Sequence, residues 1–287
     1  MIKKHDSLIE PNALQKILGQ NDLIIIDTRP SSTYLQHHIP GAINIPEFFT
    51  YICDDSSGGI PGMVSYFKSI LEKNGITNNH HVVIYEDALD NGYGQSCRGW
   101  FIFNLLGHKG TVSVLHGGYK AWQKMSYPTT AEIRSILQPT QYELEVDLSI
   151  IVTKSQMLQA INNPSYVIVD VRDYAEWVGA NSSPYGYDYC PRKGRIPSAR
   201  WLEWYQTMTR KNGIPWFKDN DEILAICKQA NIPLNKTIIL YCFKGARTSN
   251  VMLALTRAGL EVKSYFSSWN EWSRDFSLPI SEGYPDE

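Results

Sequence analysis

A chain of 287 residues, 43% of them hydrophobic and 20% charged, can bury a substantial core and exceeds the commonest single-domain size, so two domains are expected. Its net charge of −2 exerts no global pull on nucleic acid or an anionic membrane, and neither is expected as a partner; any anion binding has to be local. No apolar run reaches the roughly eighteen residues of a membrane span, and the first ten residues carry acids and no apolar stretch, so a cytoplasmic protein without a secretory leader is the expectation.

The five cysteines (Cys53, Cys97, Cys190, Cys227 and Cys242) are odd in number, scattered and without a C-x-x-C pair. They support neither a disulfide framework nor a structural zinc site, and no metal is expected. Taken singly, each reads as a small buried apolar residue. Cys242 is the exception because of what surrounds it.

In chain order, the pattern occurs twice. Leu23-Ile-Ile-Ile-Asp27-Thr-Arg29 is a short apolar segment suited to a buried parallel strand, followed after a polar stretch by His38-Ile-Pro-Gly-Ala. Tyr166-Val-Ile-Val-Asp170-Val-Arg172 repeats the first part and Gly194-Arg-Ile-Pro-Ser-Ala the second, so that Asp27 and Arg29 match Asp170 and Arg172. The second copy carries a longer excursion between these segments, rich in Tyr and Gly from Tyr185 to Tyr189. Strands are then expected at His81–Tyr85 and Thr237–Tyr241, each followed by a loop and an apolar helix that stops at Gly107 or Gly259. A further strand follows in each copy, Val112–Leu115 and Val262–Phe266. Tyr119-Lys-Ala-Trp122 then matches Trp269-Asn-Glu-Trp272.

Alternating strands and helices with short turns predict an α/β fold of two tandem domains, each a parallel sheet flanked by helices on both faces. The expected boundaries are 1–128 for the first domain, 129–150 for a linker containing Pro139, and 151–287 for the second. Ligands in such folds gather at the carboxyl ends of the strands, where Cys242 falls.

The segment Cys242-Phe-Lys-Gly-Ala-Arg-Thr248 lies between a strand and a helix. A tight loop there points backbone N–H groups inward, and the helix N-terminus adds roughly half a positive charge, an environment for an anionic sulfur. The thiolate is the nucleophilic form of cysteine, so chemistry at neutral pH gains from a lowered pKa. Lys244 and Arg247 add two cationic side chains.

This loop, the paired Asp-x-Arg strands, His38-Ile-Pro-Gly-Ala and the Trp272 region together resemble the tandem-domain rhodanese family of sulfurtransferases, over nearly the whole chain. The resemblance implies an inactive N-terminal domain and a catalytic C-terminal one. Glu86 stands where the second copy has Cys242, and the first loop runs on through Asp87-Ala-Leu-Asp-Asn-Gly-Tyr-Gly94. It also implies ping-pong chemistry: Cys242 takes sulfur from a small-molecule donor as a persulfide, and a thiophilic acceptor, cyanide or a thiol, removes it. No cofactor is implied. A persulfide carrier serving a protein acceptor uses the same groups.

Loop length separates sulfur from phosphate chemistry. Four residues lie between Cys242 and Arg247, whereas the cysteine phosphatases of this general fold have five, a larger cradle. As to the donor, family members specialised for thiosulfate resemble Cys-Arg-Lys-Gly-Val-Thr, and those for 3-mercaptopyruvate Cys-Gly-Ser-Gly-Val-Thr. Lys244 takes the lysine position of the thiosulfate type, while Phe243 replaces its arginine and Ala246-Arg247 its Val-Thr. Thiosulfate is the expected donor, held by Lys244 with Arg247 or Arg172. Phe243, Lys244, Gly245, Ala246, Arg247 and Thr248 are thus the loop candidates around Cys242. Asp170 and Arg172 orient the loop, bind the donor or form a purely structural ion pair. Arg195, in the place of His38, is a candidate for lining the site or a surface arginine. Ser267-Ser268 stand where the first copy keeps Gly117-Gly118. The tyrosine-rich excursion reads as a lid, an acceptor-binding loop or a surface loop.

Overall fold

The computed structural model describes residues 7–54, 57–135 and 138–284. Residue contacts divide the chain into two compact units, the first comprising Met1–Tyr51, Ile60–Asp147 and Met208–Phe217, the second Ile52–Gly59, Leu148–Thr207 and Lys218–Glu287. Each is an α/β unit with a parallel sheet flanked by helices.

The first half runs β1 (Leu8–Ile9), α1 (Pro11–Ile17), β2 (Leu23–Asp27), α2 (Ser31–Gln36), β3 (Ala42–Asn44), α3 (Glu47–Thr50), α4 (Gly59–Lys73), β4 (His81–Tyr85), α5 (Gln95–Leu105), β5 (Val112–Leu115) and α6 (Gly118–Lys124). Its strands order β1-β5-β4-β2-β3, all parallel. The second half runs α7 (Lys154–Ala160), β6 (Tyr166–Asp170), α8 (Tyr174–Trp177), β7 (Arg200–Trp201), β8 (Met208–Lys211), β9 (Ile214–Phe217), α9 (Asn220–Gln229), β10 (Thr237–Tyr241), α10 (Ala246–Arg257), β11 (Val262–Ser264) and α11 (Ser268–Arg274). There the order is β11-β10-β6-β7, and a parallel bridge from Ile151 to Ser264 takes the place that β1 holds beside β5. The two sheets therefore repeat one topology.

Strand composition explains the burial. Every residue of Leu23–Asp27 is buried, and four of the five in β4, β6 and β10 are, as both faces of a parallel sheet are covered. Leu23, Ile25, Val83 and Leu115 meet Leu14, Tyr119 and Trp122 in one core. In the second unit Ile168, Ile239 and Tyr241 meet Met157, Trp269 and Trp272.

One polar staple recurs at the carboxyl end of the central strands. Asp170 takes Arg172 Nε at 2.9 Å and Nη2 at 2.6 Å, and the Tyr241 hydroxyl at 2.7 Å; all three side chains are fully buried. Tyr241 Oη in turn accepts the N–H of Ile196, in the Gly194-Arg-Ile-Pro turn, and Arg172 donates to the Gly194 carbonyl. Asp27, Arg29, Tyr85 and Ile39 repeat these contacts, with Arg29 Nη2 donating to the His37 carbonyl. The staple thus ties two strands to the following turn in both copies, with or without a cysteine nearby. Burial, with Asp170 beside it, pushes the Tyr241 hydroxyl well above the usual phenol range, so it stays a donor.

The hairpin β8-β9 belongs to the first unit although it follows β7 in the chain. Its turn is Asn212-Gly213, both at positive φ (53° and 78°), the conformation Asn-Gly favours in two-residue hairpins. Phe217 N–H donates to His116 Nε2 at 2.9 Å, the Trp216 ring meets His116 edge-on, and Arg210 pairs with Asp90. After α6 the chain follows the first unit, through Thr130 paired with His38 and the Glu145 N–H on the Leu106 carbonyl. Among the described residues no helix is long and apolar enough to cross a membrane.

Removing one partner of a buried pair strands the other charge. Asp27→Asn is expected to lower unfolding stability by about 3 kcal/mol, measured by urea titration.

Candidate active site

Cys242 is the first residue after β10, and α10 begins four residues later at Ala246. The intervening turn is possible because Gly245 adopts φ +90°; a Cβ there would sit 2.7 Å from the Phe266 ring. Gly245 N–H points at Cys242 Sγ at 3.2 Å, and Thr248 Oγ1 lies 3.7 Å from it. Cys242 is 1% exposed. That burial pushes its thiol up, but the Arg247 guanidinium, the backbone and hydroxyl of Thr248 and the Gly245 N–H outweigh it, and the pKa falls below the ordinary thiol value.

Arg247 is held by a carboxylate that sequence reasoning did not single out. Glu176, in α8, receives Arg247 Nη1 at 2.6 Å and Nη2 at 3.0 Å, and Asp173 receives Nη1 at 3.2 Å. Glu176 is 1% exposed; burial pushes its carboxyl up, and Arg247 more than reverses this, leaving it below the usual range. A signal was present in the sequence: six residues after Asp170 the second copy has Glu176, and six after Asp27 the first has Thr33. The acid accompanies the cysteine and is missing where the cysteine is missing.

The N-terminus of α11 secures the loop from its other side. Trp269 N–H donates to the Cys242 carbonyl at 3.0 Å and Asn270 N–H to the Phe243 carbonyl at 3.1 Å. Ser268 Oγ accepts the Cys242 N–H at 3.1 Å and donates to the Tyr265 carbonyl at 2.8 Å. Ser268 does this at φ +58°, where Gly118 of the first copy has +66°. Ser268 thus keeps the positive φ of its counterpart and adds a hydroxyl under the nucleophile's own amide, although Ser267 before it is right-handed (φ −64°) where Gly117 has φ +77°.

Cys242, Gly245, Arg247 and Thr248 are therefore brought together around one sulfur atom. Ala246 is buried as the first residue of α10, and Phe243 and Lys244, between it and Cys242, are buried too, the Lys244 ammonium 5.2 Å from the Tyr185 ring centre. Asp170 and Arg172 engage each other in the staple. Arg195 donates to the Gly283 carbonyl at 2.6 Å and lies over Trp177, in a backbone pairing of its own residue with Ser281. Among the described residues no cluster of His, Cys, Asp and Glu has the spacing to hold a metal.

The corresponding place in the first unit holds Glu86. Its fully buried carboxylate accepts the Gln95 N–H and the Ser96 hydroxyl, each at 2.9 Å, from the start of α5. Burial dominates these donors and raises its pKa to about 8. Cys97 lies one residue further along α5, buried at 0% exposure.

A family model for the rhodanese-like domain matches residues 10–125 and again 153–275. The chain belongs to the rhodanese-like family. It is 31% identical to a mouse thiosulfate sulfurtransferase over 84% of this chain and 79% of that protein. It is 29% identical to the sulfur carrier protein TtuD of Thermus thermophilus, covering 91% and 88%, and 28% identical to a mouse 3-mercaptopyruvate sulfurtransferase, covering 83% and 77%. Among solved structures, EanB with ergothioneine superposes with a TM-score of 0.81 at 22% identity, over 99% of this chain and 71% of that one, which supports the fold. The domain repeat and the sulfurtransferase class follow from these matches.

Two predictions rest on the electrostatics. Arg247→Leu combined with Glu176→Gln, which strands no buried charge since Asp173 is 38% exposed, is expected to raise the Cys242 pKa by about one unit, seen as a shift to higher pH of iodoacetamide alkylation. For Glu86 the folded pKa of about 8 exceeds the ordinary carboxyl value of 4.5, so the folded state binds more protons between these values and stability falls as pH rises through that window. Glu86→Gln is expected to remove that loss, gaining on the order of a few kcal/mol over the wild type at alkaline pH and progressively less toward pH 5, read from paired denaturation curves.

Proposed function

We propose that this rhodanese-family sulfurtransferase moves the sulfane sulfur of thiosulfate to a thiophilic acceptor, cyanide or a thiol, through a persulfide on Cys242. The observation that carries the proposal is the sulfur's surroundings: Gly245 N–H at 3.2 Å, Thr248 at 3.7 Å and the Arg247 charge, together lowering the thiol pKa despite full burial.

In the first half-reaction the Cys242 thiolate attacks the outer sulfur of thiosulfate. The donor's S–S bond breaks, sulfite leaves with the bonding pair, and Cys242 carries the extra sulfur. Loop N–H groups are suited to hold the terminal sulfur anion. In the second, cyanide attacks that terminal sulfur, the persulfide bond breaks, thiocyanate departs and the electron pair returns to Cys242 as thiolate. Lys244 supports an anionic donor, since it is a cation on the catalytic loop itself. The similarity to thiosulfate sulfurtransferases agrees with that choice. A second reading, a persulfide carrier that delivers sulfur to a protein, draws support from the likeness to TtuD over 91% of the chain.

Mass spectrometry after incubation with thiosulfate is expected to show a single sulfur-mass adduct on Cys242, absent from Cys242→Ser, and turnover to thiocyanate in excess of that from 3-mercaptopyruvate to pyruvate. Faster turnover of 3-mercaptopyruvate would replace the donor; an adduct that no small thiophile discharges would favour the carrier.

A further inference from the structure

The segment between α8 and β7 is not absorbed by the chemistry above, yet it leans on the residue next to the nucleophile. The Tyr185 ring stacks on Phe243 with centroids 4.7 Å apart and planes at 27°, and Tyr189 meets the same phenylalanine edge-on at 6.2 Å. Phe243 itself is 3% exposed, whereas Tyr185 and Tyr189 are 45% and 40% exposed. An aromatic surface therefore reaches solvent one residue along the chain from Cys242.

That surface is fixed in place. Asn270 donates its backbone N–H to the Phe243 carbonyl and its side-chain amide to the Tyr189 carbonyl at 3.0 Å. Arg274 Nε donates to the same Tyr189 carbonyl at 3.0 Å. Arg192 donates to the carbonyls of Trp272, Ser273, Asp275 and Leu278, closing the excursion onto α11. Since α11 also binds the carbonyls of Cys242 and Phe243, one helix holds both the nucleophile's loop and Tyr189, whose ring in turn lies 5.7 Å from that of Tyr185.

A rigid, half-exposed aromatic face beside a sulfur site offers nothing specific to cyanide, which has no flat surface to lay on it. It suits a partner with a flat apolar body attached to sulfur, for which offset stacking adds to area burial. We propose that Tyr185, backed by Phe243 and Tyr189, is the specificity-determining surface for the acceptor half-reaction, and that it selects organic thiols bearing an aromatic group. Such a thiolate attacks the terminal sulfur of the Cys242 persulfide; the persulfide S–S bond breaks, its electron pair returns to Cys242 as thiolate, and the acceptor leaves as an organic persulfide anion, with no net oxidation.

The proposal rests on the Cys242 persulfide but not on its donor, so the test charges the protein with inorganic polysulfide, checks the adduct by mass, and measures its discharge by benzyl mercaptan and by 2-mercaptoethanol. The ratio of the two second-order rate constants is expected to favour benzyl mercaptan in the wild type, to fall roughly fivefold in Tyr185→Ala, and to be retained in Tyr185→Phe. A wild-type ratio near unity, or a ratio unmoved by Tyr185→Ala, overturns the proposal while leaving the persulfide intact. Failure of polysulfide to place sulfur on Cys242 overturns both.

Discussion

Burying a thiol works against its ionisation, and the architecture around Cys242 is organised against that penalty. A fully enclosed sulfur has lost its water, and no single neighbour replaces it. The opposing influences come from one turn: a guanidinium at Arg247, the N–H of Gly245, and the amide and hydroxyl of Thr248. Each depends on the backbone path from β10 into α10, and that path depends on Gly245 holding a left-handed conformation against the Phe266 ring. Arg247 in turn is held in the core by Glu176, which accepts two of its N–H groups, and by Asp173, which accepts from Nη1. Without those carboxylates a buried guanidinium would face its own desolvation cost. The reactive sulfur, the arginine and the glutamate are thus one electrostatic unit, built from two segments of the second half.

The first unit shows what the same turn does without a nucleophile. Glu86 occupies the position after β4 that Cys242 occupies after β10, and it too receives N–H and hydroxyl donors from the following helix. The cradle at a helix N-terminus is therefore a property of the fold, and what differs is the group placed in it. The main influences on Glu86 are burial, the donors of Ser96, Gln95 and Gly94, and the Asp87 charge, and burial prevails so that its pKa rises; at Cys242 Arg247 tips the balance the other way. Cationic compensation, more than the loop's N–H groups, distinguishes the two sites.

Much of this was legible in the sequence because parallel sheets leave strong local marks. Strands of Ile, Val and Leu ending in Asp-x-Arg appear twice, and β4 and β10 lie where those runs predict. The hairpin was overlooked although Asn212-Gly213 between Met208–Lys211 and Ile214–Phe217 carries the usual turn signal. Its placement with the first unit, by contrast, is set by packing on His116 and leaves no local pattern. Glu176 was missed for a similar reason, as its partner lies 71 residues away and only the loss of both residues from the first copy links them. The Asp170 and Arg172 pair, weighed as a donor site, has its twin in Asp27 and Arg29, and what the twins share is a hydrogen-bonded tie between strand and turn.

Ser268 illustrates how a departure from the repeat can add a hydroxyl to a turn: it keeps the positive φ of Gly118, while Ser267 at φ −64° replaces Gly117 at φ +77°. A Cβ at Gly118 would meet the carbonyls of Asp87 and Glu86 at 2.8 and 2.9 Å, so the first copy needs glycine for space as well as for its positive φ. At Ser268 the backbone keeps the same left-handed conformation, at a cost of about 1 kcal/mol for a residue with a Cβ. Its hydroxyl joins the Cys242 N–H to the Tyr265 carbonyl, each contact of the size that offsets such strain. The nucleophile's amide is thereby satisfied from behind, while the N–H groups of Gly245 and Thr248 are directed to the sulfur side. One residue of α11 separates the two roles of backbone donors, holding the loop and facing the chemistry.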